Sequence, residues 1–268
     1  MMTDRKELEG AIQNEVERRQ FSLMNDELFG YVFGSDERRD ITADFLGAAL
    51  EDSLGHGITG VSFMPPREIP VLRDRELVSR FAARCELGEE DHAFAELQLV
   101  NYLEWRELPL ACCAEMMSAQ PEYDIHPVAT VSILSYSLFG NGDWRSDYYF
   151  RNVETGHILD KGLGMHFLEV PKFAKAETKP VIEMTKLERW MAFFSDCLND
   201  VEKNELAKLE PAIGRADAAA EEFFNDGENV SRYIDREIGL RLFRAAMQDV
   251  KKQVKDRGEQ SPIRTDLK

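Results

Sequence analysis

A nine-residue stretch, His92–Val100, alternates in the way that a β-strand requires. Its sequence is HAFAELQLV, in which Phe94, Glu96 and Gln98 fall on one face and alanine and leucine residues fall on the other. A carboxylate and an amide therefore lie side by side in an otherwise apolar strand. Burial of a charge is costly unless a partner stabilises it, so this polar face is either exposed to water or belongs to a functional site.

The composition is typical of a folded globular protein with an acidic surface. The chain has 268 residues, 43% of them hydrophobic, which is enough for one large domain, or for one domain with a helical appendage, with a sizeable core. Its formal net charge of −17 argues against broad nonspecific binding to nucleic acid, although a local basic cleft is compatible with it. No segment approaches the ~18 apolar residues of a membrane helix, and the charged N-terminus lacks the apolar region of a signal peptide. We therefore expect a cytoplasmic protein that does not contact membranes.

The cysteines and two of the histidines do not form a metal-binding pattern. The cysteines are Cys85, Cys112, Cys113 and Cys197. None belongs to a Cys-x-x-Cys pair, and the adjacent pair at 112 and 113 has poor disulfide geometry, so we expect reduced thiols and no zinc site from cysteine. His157 and His166 are too few and too poorly spaced to hold a metal, and we expect structural roles for them.

Hydrophobic periodicity divides the chain into four predicted parts. Residues 1–20 form a charged arm, 21–200 an α/β core, 201–256 a helical region, and 257–268 a polar tail that we expect to be disordered. A nearly continuous apolar run at 127–139 predicts a buried central strand. The order of the elements indicates an α/β fold with a C-terminal helical region. The amphipathic stripe of that region is suited to a partner, including a second copy of the chain.

Several short segments occur in the order that is typical of one bacterial family. They are NDELFGYVFG at 25–34 followed by DFL at 44–46, FAELQ at 94–98, WR at 105–106, MHFLEVPKF at 165–173, LERWMAFF at 187–194, and Arg232, Tyr233 and Arg236. In this order and spacing the chain resembles the PD-(D/E)XK nuclease family transposases, also described as recombination-promoting nucleases. The resemblance extends over about residues 20 to 250.

The resemblance implies a restriction-endonuclease-like mixed sheet flanked by helices, and cleavage of DNA that depends on Mg²⁺. In this family one strand supplies an Asp, and the adjacent strand supplies a Glu together with a Gln. By resemblance, Glu96 and Gln98 are the catalytic positions and Glu96 is the metal ligand. Mg²⁺ prefers hard oxygen ligands and lowers the pKa of a bound water, whereas Gln98 can orient a water but carries no charge.

Three further residues are candidates for supporting roles. Asp26 opens the first motif, where the helix macrodipole also favours an acid for structural reasons. Arg106 could clamp a phosphate, or pair with Glu104 or Glu96; we favour Glu96, because such a pair would offset the cost of burying its charge. Asp44 is a carboxylate that could reach the metal from elsewhere in the chain.

The sequence departs from the family pattern at the position that should supply the Asp. Pairing back across the hairpin from Glu96 places that position at Ala82, and a shift of one or two residues finds no carboxylate. The carboxylates that could replace it from elsewhere are Asp44, Asp74 and Glu86. Gly30 departs as well, since a Lys is common there in the family.

Two functions follow from this pattern. The first is a Mg²⁺-dependent DNA endonuclease whose activity is weak or lost, because loss of one member of a catalytic unit removes most of the rate. The second is a catalytically inactive relative that acts by binding protein or DNA partners. A third, more remote hypothesis assigns the function to the helical C-terminal region as a module for oligomerisation.

Overall fold

A computed structural model describes most of the chain. The described residues are 2–55, 57–64, 78–87, 92–100, 107–121, 124–176 and 179–256. The chain divides into two compact units, one of residues 22–223 and the other of residues 1–21 with 224–268. The tail that the sequence predicts to be disordered, 257–268, lies outside the described residues.

The described part of the larger unit contains a mixed sheet of six strands. They are β1 (Gly60–Phe63), β2 (Val78–Glu86), β3 (His92–Val100), β4 (Val128–Leu134), β5 (Arg145–Arg151) and β6 (Ile158–Glu169). Their order across the sheet is β1-β2-β3-β4-β6-β5. The neighbours β3, β4 and β6 are parallel, whereas β1, β2 and β5 join the sheet antiparallel. The predicted α/β fold with a mixed sheet is confirmed.

The helices begin and end at recognisable local signals. In chain order they are α1 (Met2–Glu17), α2 (Asp26–Phe33), α3 (Arg39–Leu54), α4 (Glu107–Ser118), α5 (Val170–Phe173), α6 (Lys186–Ser195), α7 (Asp200–Leu209), α8 (Pro211–Phe223) and α9 (Gly227–Asp256). Asn25 caps α2 through its side chain, and Thr185 with Glu188 forms a capping box at the start of α6. Gly55 ends α3 with φ of 67°, a left-handed conformation that glycine adopts without steric cost. Among the described residues, none of the helices is long and apolar enough to cross a bilayer.

Helices α3 and α4 cover opposite faces of the sheet. Ser53 of α3 contacts His166, while Cys113 and Met116 of α4 pack with the neighbouring Met165. Because consecutive residues of a strand point to opposite faces, the two helices lie on different sides. Helix α4 lies in the connection between the parallel strands β3 and β4. A helical crossover is the usual connection between two parallel strands.

An aromatic cluster fills the core on the α3 side. Its members come from α2, α3 and α6, and their ring centroids lie 4.7–6.4 Å apart in the contacting pairs: Phe29, Phe33, Phe45, Trp190 and Phe194. All five side chains are at most 3% exposed. Full burial of one such side chain contributes about 1.5–3 kcal/mol, so this cluster holds α2, α3 and α6 together, and Phe29 joins it to Phe81 of β2.

The two units differ from the parts that the sequence predicts. Helices α7 and α8, which belong to the predicted C-terminal region, fall within the larger unit, where Phe223 of α8 packs edge-on against Tyr31 at 5.2 Å. The predicted N-terminal arm is mostly helix α1, which packs with α9 in the smaller unit. There Arg241 Nη2 lies 2.5 Å from a carboxylate oxygen of Glu15. The N-terminal segment is too polar to form a core of its own, and its helix α1 is stabilised by packing on α9.

Candidate active site on strands β2 and β3

Strands β3 and β4 place four polar side chains in one patch beneath α4. In the parallel register Glu96 pairs with Thr130, and Gln98 pairs with Ser132. Glu96 is 5% exposed, and the other three are completely buried. The interpretation that this face of the strand is exposed to water is therefore wrong. The polar patch lies inside the protein and depends on hydrogen bonds for its stability.

The amide of Gln98 connects this patch. Its Nε2 donates to Glu96 Oε1 at 2.7 Å and to Cys112 Sγ of α4 at 3.4 Å. Its Oε1 accepts a hydrogen bond from Ser132 Oγ at 3.1 Å. Both ends of the amide are thus engaged by protein groups, which fixes its orientation beside the Glu96 carboxylate.

Ala82 of β2 stands directly opposite Glu96 in the antiparallel register. This is the position at which the resemblance to the nuclease family predicts an Asp. Glu86 lies on the same strand, but it is exposed and pairs with His92, four residues further along. At a rise of about 3.3 Å per residue it lies about 13 Å from the level of Glu96. Glu86 therefore does not stand beside Glu96.

The other candidate residues are not brought to this patch. Asp44 on α3 accepts hydrogen bonds from Trp190 Nε1 at 3.0 Å and from Lys186 Nζ at 2.7 Å, which ties α3 to α6. Asp26 begins α2, and that helix packs on β2 through a stacked contact of Phe29 with Phe81, which is next to Ala82 and hence on the opposite face. Arg106 and Asp74 lie outside the described residues.

The described residues do not fit Mg²⁺. None of their His, Cys, Asp and Glu side chains form a group of three or more that could hold a metal ion. Mg²⁺ demands near-octahedral oxygen coordination, typically with one or two carboxylates, waters and substrate phosphate. Glu96 contributes one carboxylate, of which Oε1 is already bonded to an amide, and the facing Ala82 contributes no ligand.

Two buried thiols are held in the neutral form, Cys113 beside the patch and Cys85 on the opposite face of β2. Burial raises the pKa of Cys113 to about 12, and the negative charge of Glu96 acts in the same direction. The nearby Thr130 hydroxyl lowers this pKa, but its effect is smaller than that of burial. Among the described residues, Thr130 Oγ1 has no partner with hydrogen-bond geometry. Burial likewise raises the pKa of Cys85 to about 12. Because the thiolate is the form that binds metals and attacks electrophiles, neither thiol is suited to such chemistry.

A second polar cluster, on the α3 face, was not visible in the sequence. His166 Nδ1 lies 2.8 Å from Asp147 Oδ1, and its Nε2 lies 3.2 Å from Ser53 Oγ, which contacts Tyr149 Oη at 2.7 Å. Burial acts to raise the pKa of Asp147, but hydrogen bonds and charge from His166 and Arg145 outweigh it, so the pKa is lowered. The structural role expected for His166 agrees with this position, which joins α3 to the β5–β6 hairpin.

The residue types of this cluster are those of a serine hydrolase triad, but its setting is not. Ser53 is 8% exposed and lies in the last turn of α3. A helix C-terminus presents carbonyl oxygens and partial negative charge. A developing oxyanion needs the reverse, namely N–H donors aimed at it. We therefore assign the cluster to packing.

The fold and the position of Glu96 define the class of protein. A mixed sheet, a β-hairpin, and a Glu-x-Gln strand followed by a crossover helix form a restriction-endonuclease-like core. The model of the PD-(D/E)XK nuclease family transposases matches residues 23–241, and the chain belongs to this family. No curated protein and no solved structure matches the chain.

Proposed function

We propose that this chain acts by binding DNA, and that the Mg²⁺-dependent cleavage expected from its ancestry is weak or lost. The observation that carries the loss of cleavage is the pairing of Ala82 with Glu96, and membership of a nuclease family supports DNA as the ligand. A methyl group stands where the neighbouring strand of a family nuclease would supply the second carboxylate. The chain would then serve as a binding or regulatory relative of the nucleases.

The chemistry of a metal site supports a large effect from one missing carboxylate. A nuclease metal stabilises the charge that develops on the phosphate and provides a nucleophilic water. Catalytic groups that act as a unit are strongly non-additive, so loss of one can remove most of the rate. A site with a single carboxylate is expected to hold Mg²⁺ poorly.

Burial of the patch supports the same proposal. Glu96 is 5% exposed, and Gln98, which bonds to it, contacts α4 through Cys112. A phosphodiester is a large hydrated anion, and it can approach a metal at Glu96 only if this carboxylate becomes accessible. In the described conformation the carboxylate bonds to protein rather than facing a substrate groove.

Charge restricts where DNA could bind. The chain carries 33 basic and 50 acidic residues. Because lysine and arginine neutralise the phosphates of bound DNA, this excess of acidic residues argues against contact with DNA over most of the protein surface. A local site with few phosphate contacts is compatible with this charge, and its affinity would depend only weakly on salt. DNA binding by this chain is therefore expected to be local.

The test compares cleavage and binding in the same preparation. Supercoiled plasmid is incubated with the wild-type chain and with Glu96→Ala, in Mg²⁺ and separately in Mn²⁺. We expect nicking no greater for the wild type than for the variant. Binding is measured by anisotropy of fluorescein-labelled DNA in EDTA, where we expect saturable binding.

Nicking that requires a divalent ion and disappears in Glu96→Ala would overturn the loss of cleavage. Absence of DNA binding in EDTA would overturn the DNA-binding part and direct attention to a protein partner. Self-association through the helical C-terminal region stays a prediction, which light scattering on the full chain would test.

A further inference from the structure

A cavity of about 280 Å³ opens on the Glu96 face of the sheet. Its lining comes from β2, β3, the end of α4 and the segment that follows α4, and includes Arg84, His92, Phe94, Met116 and His126. Phe94 lies two residues before Glu96 on the same face of β3, a separation of about 7 Å along the strand. The cavity is therefore a neighbour of the candidate site but shares none of its residues.

Three flat rings, those of His92, Phe94 and His126, line this cavity. The rings of His92 and His126 contact each other in a tilted arrangement, with centroids 3.5 Å apart and planes 35° apart. Phe94 meets His92 edge-on, at 5.4 Å and 89°. The side chain of His126 lines the cavity and is 24% exposed, so part of it is available to contact a ligand there. Stacking on such faces is how proteins hold unpaired bases without reading their sequence.

Two charged side chains of opposite sign line the cavity, each beside a different histidine. Arg84 is exposed, and its Nη2 lies 3.4 Å from His92 Nδ1. Asp124 Oδ1 lies 3.3 Å from His126 Nε2. A phosphate is attracted to the arginine and repelled by the aspartate. The aspartate can accept a hydrogen bond from an amino or imino group of a base.

We propose that this cavity binds one unpaired nucleotide, with the base against His126 and the phosphate on Arg84. The volume of about 280 Å³ favours one base over a base pair, since it lies just below the usual range of about 300–1,000 Å³ for ligand pockets. The inference rests on the proposed DNA binding and deepens it by naming the subsite. The same chemistry is carried by a nucleotide within a DNA strand and by a free mononucleotide, which the experiment distinguishes.

The experiment uses the full chain in EDTA and measures anisotropy of a fluorescein-labelled oligothymidylate, with a blunt duplex of equal length and dTMP as competitors. Loss of one stacked base contact predicts that His126→Ala weakens binding about 5- to 150-fold. Arg84→Gln should weaken binding and lower the salt slope by about 0.7, as expected for one phosphate contact on a single strand.

Arg151→Gln is the matched control, because it removes the same charge from an exposed site on β5, at the other edge of the sheet. Thermal melting verifies that each variant is folded.

The outcomes separate this inference from the proposed function. Equal losses in Arg84→Gln and Arg151→Gln, or no loss in His126→Ala, would overturn the cavity as the subsite while DNA binding stands. Binding of the duplex as tight as the single strand would overturn the requirement for an unpaired base. If no DNA binds, the proposed function fails. Saturable binding of dTMP that His126→Ala abolishes would then assign the cavity to a free nucleotide, and its absence would reject the cavity as well.

Discussion

Ala82 and Glu96 face each other across the antiparallel pair of β2 and β3. Side chains directly opposite in such a pair have Cβ atoms about 4.5–5.5 Å apart, close enough for two carboxylates to share one cation. In this chain one of the two positions ends in a methyl group. Under the proposed function, Ala82 replaces the second metal-binding carboxylate, so a single substitution at this position tests the proposal.

Ala82→Asp is expected to create affinity for Mn²⁺ that the wild-type chain lacks. Without metal, two carboxylates directly opposite lower the free energy of unfolding by about 0.2–1 kcal/mol. Metal at about 100 times the dissociation constant would add about 2.7 kcal/mol of stability. Isothermal titration calorimetry and thermal melting measure both effects. The double variant Ala82→Asp/Glu96→Gln should lose the gain, and equally tight Mn²⁺ binding by the wild type would contradict this prediction.

Gln98→Met is expected to destabilise the larger unit by about 1–3 kcal/mol, because a side chain of similar size removes the amide that bonds to buried Glu96 and Ser132. Ser132→Ala removes only one of these hydrogen bonds and should cost about 0.5–1.5 kcal/mol. Urea unfolding of the wild type and of both variants gives the comparison. A smaller loss in Gln98→Met than in Ser132→Ala would show that the amide does not organise the patch.

Lys172→Met is expected to destabilise the chain by about 3–5 kcal/mol, since it leaves a buried carboxylate without its cation. Glu169 is completely buried; its Oε2 lies 2.8 Å from Lys172 Nζ, and its Oε1 accepts a hydrogen bond from the backbone N–H of Leu138 at 2.6 Å. In Lys172→Met/Glu169→Gln the charge is removed and the acceptor is kept, so most of the stability should return. Denaturant unfolding of the single and double variants measures this. No recovery in the double variant would mean that the lysine acts through packing alone.

Asp147→Asn is expected to lower stability near neutral pH and to matter less in acid. The folded-state pKa of Asp147 lies below its ordinary value, so its ionised form stabilises the fold above that ordinary value. This contribution is lost as the pH falls through the lowered pKa. We expect a difference of about 1 kcal/mol near neutral pH, given the partial exposure of the side chain.

Urea unfolding at about pH 7 and about pH 3 measures the difference between the wild type and Asp147→Asn. The control is Asp160→Asn, which changes an exposed aspartate on β6. A gap for Asp147→Asn that is as large in acid as at neutral pH would show that the carboxylate charge is not what stabilises the hairpin.

The sequence by itself determined the local elements and the family. Alternation with a period of two defined β3, and the order of short motifs identified the PD-(D/E)XK nuclease family. It also located Ala82, because an antiparallel hairpin relates partners by simple counting. These features depend on neighbouring residues, and local periodicity is what a sequence records directly.

Only the tertiary structure decided what surrounds Glu96. Alternation alone could not distinguish a wet face from one covered by α4, because burial depends on how a later helix packs. Asp44, a metal candidate from the sequence, bonds to Trp190, 146 residues away, and Ser53 contacts His166 across 113 residues. The cavity beside Phe94 likewise joins β3 to the segment after α4. Such contacts follow from the packing of distant elements, for which a single sequence carries no periodic signal.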